Sequence, residues 1–284
     1  MKIIIAGIIT CIVVLLVIII YKGREDYMDG STFIIGKPTR CLKPKIFWTY
    51  WDGPEIPISV KKCISTWEKH NPHYDIIILN KDNLHFYCDD DIYSFKHADN
   101  AQRISDFVRL AVLSKHGGTW VDSSSIMSEP LQDHPYEYVG YYIDGMTKNK
   151  KYPVIENWFI SCAKNCQFIK RWKDIFYSIN DGTVDEYLHK LQQTTDFQNI
   201  YRPTYLTMHV AAQYVLQNEK VNTSMYLMKA EEGPFKYLAD KDWDSRKAVD
   251  SLVRGENITP LIKLRSTERN MLEDILKSET EIKF

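Results

Sequence analysis

The sequence lacks the signatures of several common protein classes. Its 36 basic and 37 acidic side chains nearly cancel, and a net charge of −1 offers no basic footprint for nucleic acid. The six cysteines form no C-x-x-C pair and no histidine lies at finger-like spacing from them, which argues against a structural zinc site. The eight histidines include no H-E-x-x-H motif. What remains is an ordinary globular composition, with 44% hydrophobic residues.

Charge is also missing from one long run near the amino terminus. Positions 3–20 are uncharged and mostly aliphatic, and as a helix they would rise about 27 Å, close to the hydrocarbon thickness of a bilayer. A cleaved signal peptide is the alternative, but residues 21–24 offer no small-x-small cleavage site. We therefore predict a single-pass transmembrane anchor over residues 1–21, with the membrane as a partner, and a stem over residues 22–43.

The side of the membrane that the rest of the chain occupies stays open. Lys22 and Arg24 follow the apolar run, which favours a cytosolic C-terminal domain under the positive-inside rule. Asn222 and Asn257 begin N-glycosylation triplets, which matter only in a secretory lumen. The expected location is the cytosolic face of a membrane in a bacterium, or the Golgi or ER lumen in a eukaryotic secretory pathway.

From residue 44 onward, strand patterns alternate with helical ones. Strands are predicted at 45–50, 74–79 and 119–122, and helices at 57–70 and 99–116. The apolar run at 74–79 suits a strand buried on both faces. Further helices are predicted near 165–179, 183–194, 205–218, 243–253 and 267–278. The sequence thus predicts one α/β domain over residues 44–284, with a mostly parallel, Rossmann-like sheet flanked by helices and a helical C-terminal portion.

Three charged side chains share one edge of the predicted helix at 99–116. At 100° per residue, Arg103, Asp106 and Arg109 lie opposite an apolar face made by Ile104, Phe107, Val108, Ala111 and Val112. A Gly-Gly stop then leads into a short strand that ends at Asp122, and open α/β sheets bind ligands beyond such strand ends. A carboxylate there suits Mn²⁺ or Mg²⁺, and arginine suits a diphosphate.

These residues resemble the DXD-region signature of one glycosyltransferase group. The signature covers AQRISDFVR at 101–109 and GGTWVD at 117–122. The group includes the capsular polysaccharide synthesis proteins, the initiating mannosyltransferases of yeast and the glucosylating domains of clostridial toxins. Residues 44–51, 155–160 and 260–264 resemble its first strand, a later block and the C-terminal end of the capsular members. The resemblance runs in family order over about residues 44–265.

The resemblance implies a GT-A fold and a glycosyltransferase of the hexosyltransferase class. It implies a nucleotide-sugar donor, a glycan or other hydroxyl acceptor, a divalent metal (usually Mn²⁺) and retention of anomeric configuration. By the same resemblance Trp48 would stack on the base, Asp106 and Arg109 would contact the donor sugar and phosphate, and Asp122 would be the first metal-binding acid. Arg103, Asn157 and Lys263 complete the predicted donor site, and the catalytic set is Asp106, Arg109 and Asp122.

One position departs from the family pattern. The second acid of the DXD motif is replaced by Ser124, so the predicted metal ligands are Asp122 and Ser124, a weaker Mn²⁺ site than two carboxylates. The departure favours the capsular branch and allows Lys263 and Arg265 to share the diphosphate charge. Two alternatives stay open: an inactive descendant that only binds a nucleotide or glycan, and a phosphohydrolase with Asp122 as its nucleophile. The second is disfavoured because it also needs an acid at 124.

Overall fold

The computed structural model describes residues 27–278. The predicted anchor at 1–21 and the start of the predicted stem lie outside the described residues. Within the described range, no helix combines the length and the hydropathy that a membrane span requires.

Ten strands and eight α-helices make up the described chain. The strands are β1 (Tyr27–Asp29), β2 (Thr32–Ile35), β3 (Ile46–Tyr50), β4 (Asp75–Leu79), β5 (Gly118–Val121), β6 (Ser125–Met127), β7 (Tyr138–Tyr142), β8 (Ile155–Cys162), β9 (Met225–Lys229) and β10 (Leu261–Lys263). The α-helices are α1 (Ile58–His70), α2 (Ala101–His116), α3 (Gln167–Tyr177), α4 (Val184–Gln192), α5 (Thr207–Asn218), α6 (Lys236–Ala239), α7 (Ser245–Val253) and α8 (Ser266–Lys277). Short 3₁₀ turns occupy Leu84–Phe86, Ile92–Ser94, Ser178–Asp181 and Ala230–Glu232. Every helix predicted after residue 44 is confirmed to within about two residues.

Eight strands form one sheet in the order β1-β2-β9-β7-β8-β5-β3-β4, and β10 pairs with β6 in a separate two-stranded ladder. Within the large sheet β2 and β8 run against the other six strands, which all point one way. The predicted α/β class with a mostly parallel sheet is therefore confirmed, and it fits a GT-A-like fold. The strands β3, β4 and β5 run parallel because α1 and α2 provide the crossovers between them. No helix separates β7 from β8, and these two strands pair antiparallel.

Two predictions about the sheet are wrong. Part of the predicted stem at 22–43 belongs to the domain, because β2 pairs with β9 and its alternate side chains Phe33 and Ile35 are buried. The run at 75–79 is not buried on both faces, because β4 is the last strand of the sheet and its central side chains are only half-buried. Both predictions failed because the place of a strand in the sheet depends on partner strands that are far away in the sequence.

Helices cover both faces of the sheet. On one face α2, α3 and α5 pack with Trp48, Phe107, Ile160 and Trp172 into a large core. On the other face α1, α7 and α8 cover a second core around Phe47, Trp67 and Phe159. A doubly covered sheet leaves its strand ends as the places where polar groups can gather.

A tight turn joins α2 to β5. α2 ends at Gly117, which has a φ of 68°, in the left-handed region that favours glycine. A Cβ at this position would lie 2.6 Å from the backbone nitrogen of Lys164. The turn sends β5 directly back along α2, so that Asp122, which follows β5, lies beside the middle of the helix.

Candidate active site

Charged and polar side chains from α2, β8 and β10 meet Asp122 at the carboxyl end of β5. α2 contributes Asp106 and Arg109, β8 contributes Asn157, and β10 contributes Lys263. All four lie around Asp122, directly or through one another. Six predicted site residues are therefore brought together, because Ser124 also contacts Lys263.

Arg109 is the centre of this cluster. Its Nη1 donates to the carbonyl of Asn157 at 2.6 Å, and its Nη2 lies 3.3 Å from Asp106 Oδ1 and 3.4 Å from Asp122 Oδ1. The guanidinium also lies 4.9 Å from the ring centroid of Trp120. Because only 4% of its side chain is exposed, the guanidinium is fixed between two carboxylates at a defined orientation.

Asp122 is the acid of the cluster that reaches solvent, with a quarter of its side chain exposed. Its Oδ1 accepts from Trp120 Nε1 at 2.9 Å, and its Oδ2 accepts from Lys263 Nζ at 2.8 Å. Burial alone would raise the pKa of this carboxyl, but the charges of Lys263 and Arg109, with hydrogen bonds from Lys263 and Trp120, hold it below the usual value. Asp122 is therefore an anion at neutral pH.

Asp106 has a different environment. It is buried, and Asn157 Nδ2 donates to its Oδ1 at 3.2 Å. Burial raises the pKa of Asp106, although the charges of Arg109 and Arg103 act in the opposite direction. Two carboxylates that share one arginine thus have pKa values displaced in opposite directions, a feature that is typical of ligand sites.

Lys263 reaches this cluster from the C-terminal part of the chain. β10 pairs with β6 so that Lys263 lies opposite Ser125, while its N–H donates to Pro234 and its carbonyl accepts from Tyr237. Its Nζ lies 2.8 Å from Ser124 Oγ, and Ser124 in turn donates to the carbonyl of Leu264. Hydrogen bonds therefore hold the backbone of Lys263 and of the adjacent Leu264 in place.

The predicted metal pair does not fit a divalent cation in this arrangement. Asp122 and Ser124 both face the ammonium of Lys263, whereas Mn²⁺ and Mg²⁺ prefer several oxygen ligands. Between residues 27 and 278, no group of three or more His, Cys, Asp or Glu side chains could hold a metal.

Trp48 does not lie where a base could stack on it, which corrects the prediction. It is buried, its Nε1 donates to the carbonyl of Gly117, and its ring packs against Tyr87 and His116. The aromatic residue just past the end of β3 is Trp51, which is only partly buried. β3 ends at Tyr50, and a correct prediction of that end would have identified Trp51 as the aromatic residue at the edge of the sheet.

Arg103 serves a different purpose from the one predicted. Its guanidinium donates to Thr207 Oγ1 and to the carbonyl of Thr204, and lies 5.9 Å from the ring centroid of Phe176. It therefore braces the start of α5 against α2 and is not directed at Asp122. Its charge acts on the site at a distance, by favouring the ionised form of Asp106.

Sequence reasoning missed a buried pair next to Asn157. Glu156 Oε2 lies 3.4 Å from His209 Nε2, and both side chains are buried. No motif connects the two residues, because they belong to β8 and α5 and meet only through tertiary packing. Glu156 directly precedes Asn157 on β8, so the pair lies next to the cluster.

Exposed aromatic and basic side chains lie at the edge of the cluster, next to Lys263. Arg265 lies 5.5 Å from the ring centroid of Trp243 and within electrostatic range of Tyr201. The two aromatic residues are 40% and 70% exposed, respectively, so both rings can be reached from solvent.

Comparisons with known proteins match the sequence to a family. Residues 31–264 match the profile of the family described as capsular polysaccharide synthesis protein. The O-glycosyltransferase braB of Annulohypoxylon truncatum is 26% identical over 166 residues, which cover 50% of this chain and 39% of that protein. The O-glycosyltransferase PaGT of Phomopsis amygdali is 29% identical over 100 residues, covering 32% and 24% respectively. The matches thus span well under half of these relatives.

Among solved structures, the PaToxG glycosyltransferase aligns with a TM-score of 0.40 and 16% identity, over 84% of this chain and 86% of that chain.

Proposed function

This chain belongs to the family of capsular polysaccharide synthesis proteins, and we propose that it is a glycosyltransferase that uses a nucleotide-sugar donor. The observation that carries the proposal is Arg109, held between Asp106 and Asp122 beyond the carboxyl end of β5. Such an edge is where α/β sheets bind ligands. A buried, oriented guanidinium suits a diphosphate, and the flanking acids suit sugar hydroxyls.

In this proposal the polar groups divide between sugar and diphosphate. Asp106 accepts from sugar hydroxyls, with Asn157 Nδ2 holding its carboxylate in place. Arg109 and Lys263 face the diphosphate, where they favour the negative charge that develops as this group leaves. The acceptor hydroxyl oxygen forms a bond to the anomeric carbon as the bond from this carbon to the diphosphate oxygen breaks. The nucleoside diphosphate leaves with the electron pair and takes up the hydroxyl proton. Retention of configuration stays a prediction from the resemblance.

We assign the nucleoside end of the donor to the region beyond β3. Trp51 lies just past this strand, and its Nε1 donates to the carbonyl of Glu55, which fixes the ring. Arg269 lies 5.7 Å from the ring centroid. An aromatic ring at a strand end suits stacking on a base.

The acceptor side of the proposal is the exposed edge near Lys263. Tyr201, Trp243 and Arg265 offer two rings and a cation, and such surfaces suit a hydroxyl-rich glycan, which stacks its apolar faces on rings. A glycan or another glycoconjugate hydroxyl is therefore the proposed acceptor class. Transfer to such an acceptor would place the chain in polysaccharide or glycoconjugate synthesis.

The direct test is a panel of nucleotide-sugars assayed for hydrolysis and for transfer to glycan acceptors. We expect turnover with one donor class, and a loss of at least a hundredfold in Asp122→Asn, because the carboxylate that orients both Arg109 and Lys263 is removed. Asp89→Asn is the matched control, since Asp89 forms an exposed pair with Lys115. Equal activity of Asp122→Asn and the parent would refute the assignment.

A binding-only protein is the second candidate. The replacement of the second DXD acid by Ser124 favours it. Calorimetry on the same panel separates the two functions: nucleotide binding without any turnover would establish the second candidate and reject the first.

Membrane anchoring belongs to this proposal because of the uncharged run at positions 3–20. We expect the full chain to remain with membranes after alkaline carbonate extraction, and a chain that begins at Tyr27 to be released. Release of the full chain would contradict the anchor. Protease protection of the membrane-bound form would give the side of the membrane.

A further inference from the structure

The ammonium of Lys263 lies between the two positions that hold the cation in a two-acid DXD site. Its Nζ is 2.8 Å from Asp122 Oδ2 and 2.8 Å from Ser124 Oγ. These residues stand at the first and third positions of the motif, and the third carries a hydroxyl where the family pattern has an acid. A lysine side chain thus occupies the centre that a divalent cation would need.

The position of this ammonium is determined by the fold. The β10–β6 ladder aligns Lys263 with Ser125, and backbone hydrogen bonds with Pro234 and Tyr237 hold the residue on both sides. Only 11% of its side chain is exposed. A swing away from Asp122 would therefore require an ammonium to leave its anionic partner inside a crowded site, which is unfavourable.

The remaining ligands are poor for a divalent cation. Asp122 Oδ1 already accepts from Trp120 at 2.9 Å and lies 3.4 Å from Arg109 Nη2. The hydroxyl of Ser124 donates to Leu264, so its proton is directed inward. An ion at Asp122 Oδ2 would also meet the positive charges of Lys263 and Arg109. Mn²⁺ and Mg²⁺ prefer several oxygen ligands and no cationic neighbours.

We propose that Lys263 supplies the positive charge that a divalent cation supplies in a two-acid site, so that this chain binds and uses its donor without metal. The Lys263 ammonium has three N–H donors. Among the residues that the structure describes, 27–278, its acceptors are Asp122 and Ser124, which engage two of the three. The third is available to a phosphate oxygen of the donor. This inference rests on the proposed function and adds the identity of the cation.

The first experiment measures the binding of nucleoside diphosphates, including UDP and GDP, to the full chain by calorimetry. It is run in excess EDTA and again with Mn²⁺ or Mg²⁺. We expect the tightest nucleotide to bind with the same affinity, within about threefold, in all three conditions. Binding that requires Mn²⁺ or Mg²⁺ would overturn the inference but leave the donor site in place. Absence of binding in every condition would overturn both the inference and the proposed function.

Variants at Lys263 separate its charge from its packing. Lys263→Met keeps the chain length and removes the charge, and we expect nucleotide affinity to fall about tenfold or more. Lys263→Arg should retain most of the affinity. Lys247→Met, at a side chain 72% exposed, is the matched control and should bind like the parent. Unchanged affinity in a folded Lys263→Met variant would overturn the inference.

A double variant converts the site to the two-acid type. Ser124→Asp with Lys263→Met places two carboxylates at the motif and removes the ammonium between them. We expect this protein to need Mn²⁺ for nucleotide binding, and to bind Mn²⁺ itself, which titration followed by electron paramagnetic resonance would detect. Mn²⁺ binding of similar strength in the parent chain would overturn the inference, whatever the activity of either protein.

Discussion

Removal of the Arg109 guanidinium should destabilise the whole domain as well as the site. In Arg109→Ala, the carboxylate of Asp106 loses its nearest cation while its side chain remains 5% exposed. The carbonyl of Asn157 and the carbonyl and hydroxyl of Ser105 each lose one hydrogen-bond donor, the Arg109 side chain. Asp122 is affected less, because it keeps Lys263 and Trp120.

The magnitude follows from the buried charge. Breaking a buried ion pair from one side costs about 3–5 kcal/mol, because the remaining charge is left without compensation. We expect the lower half of that range, since Asn157 Nδ2 continues to donate to Asp106. Adding Asp106→Asn to Arg109→Ala removes the stranded charge, so the double variant should recover about 1–2 kcal/mol.

The cost should also depend on pH. Burial already raises the pKa of Asp106, and the loss of Arg109 raises it further. A carboxyl whose pKa is higher in the folded state than in the unfolded state favours folding as it takes up its proton. The deficit of Arg109→Ala should therefore shrink as the pH falls from 7 towards 4, while that of the double variant changes little.

Urea unfolding followed by tryptophan fluorescence measures these free energies. Arg171→Ala is the control, because Arg171 is 46% exposed in its pairs with Asp174 and Glu219 and should cost less than about 1 kcal/mol. A cost below about 1 kcal/mol for Arg109→Ala, or a cost that Asp106→Asn does not reduce, would show that the two side chains are not coupled as the geometry requires.

Three further predictions test other parts of the structure. Gly117→Ala should lower the free energy of unfolding by about 2–4 kcal/mol, because of the positive φ and the backbone contact at 2.6 Å. The control Gly145→Ala, whose Cβ would lie 3.8 Å from Glu231, should change it by no more than about 0.5 kcal/mol in the same assay. Equal costs for the two variants would contradict the strained turn at Gly117. Trp51→Ala should weaken nucleotide binding about tenfold in calorimetry and change the free energy of unfolding little. Trp48→Phe should leave nucleotide affinity unchanged and lower the free energy of unfolding by about 1 kcal/mol, because the hydrogen bond to the carbonyl of Gly117 is lost. The reverse pattern would restore Trp48 as the base-stacking residue. Burial alone would raise the pKa of Glu273, but hydrogen bonds with Ser59 and the charge of Lys277 lower it to about 2. Glu273→Gln should therefore cost about 1 kcal/mol of unfolding free energy at pH 7, and this difference should vanish as the pH falls from 4.5 to about 2. A difference that persists at pH 2 would refute the ionic origin.

Local periodicity predicted much of the fold. The helices from α1 to α8, apart from the four-residue α6, follow from apolar side chains at helical spacing, and β3 and β5 follow from apolar runs next to turn residues. No strand is predicted from the sequence for β6, β7, β8, β9 or β10; β6 and β10, with three residues each, carry too little pattern. The sequence alone places β2 in the stem, because its partner, β9, lies almost 200 residues away along the chain.

The candidate site was predicted unevenly for the same reason. Asp106, Arg109 and Asp122 lie on one helix–turn–strand unit, where spacing fixes their neighbourhood. Arg103 shares the helix edge, yet its side chain is long enough to bond α5 instead. Trp48 depended on which residue ends the strand, a boundary that propensity places poorly. The contact of Lys263 with Ser124 required tertiary structure, since no local pattern connects residues on β10 with those after β5.

The contact between Lys263 and Asp122 has a consequence for the order of folding. The two residues are 141 positions apart, and closing a loop of that length costs about 4 kcal/mol of chain entropy. Neither the β10–β6 ladder nor the ammonium can offset this cost until the large sheet has brought the ends of the loop close together. During synthesis, the unit formed by α2, the turn at Gly117 and β5 is complete long before Lys263 is made. Asp122 is therefore synthesised well before its partner on β10. A nascent chain therefore cannot complete the candidate site until β10 has been synthesised.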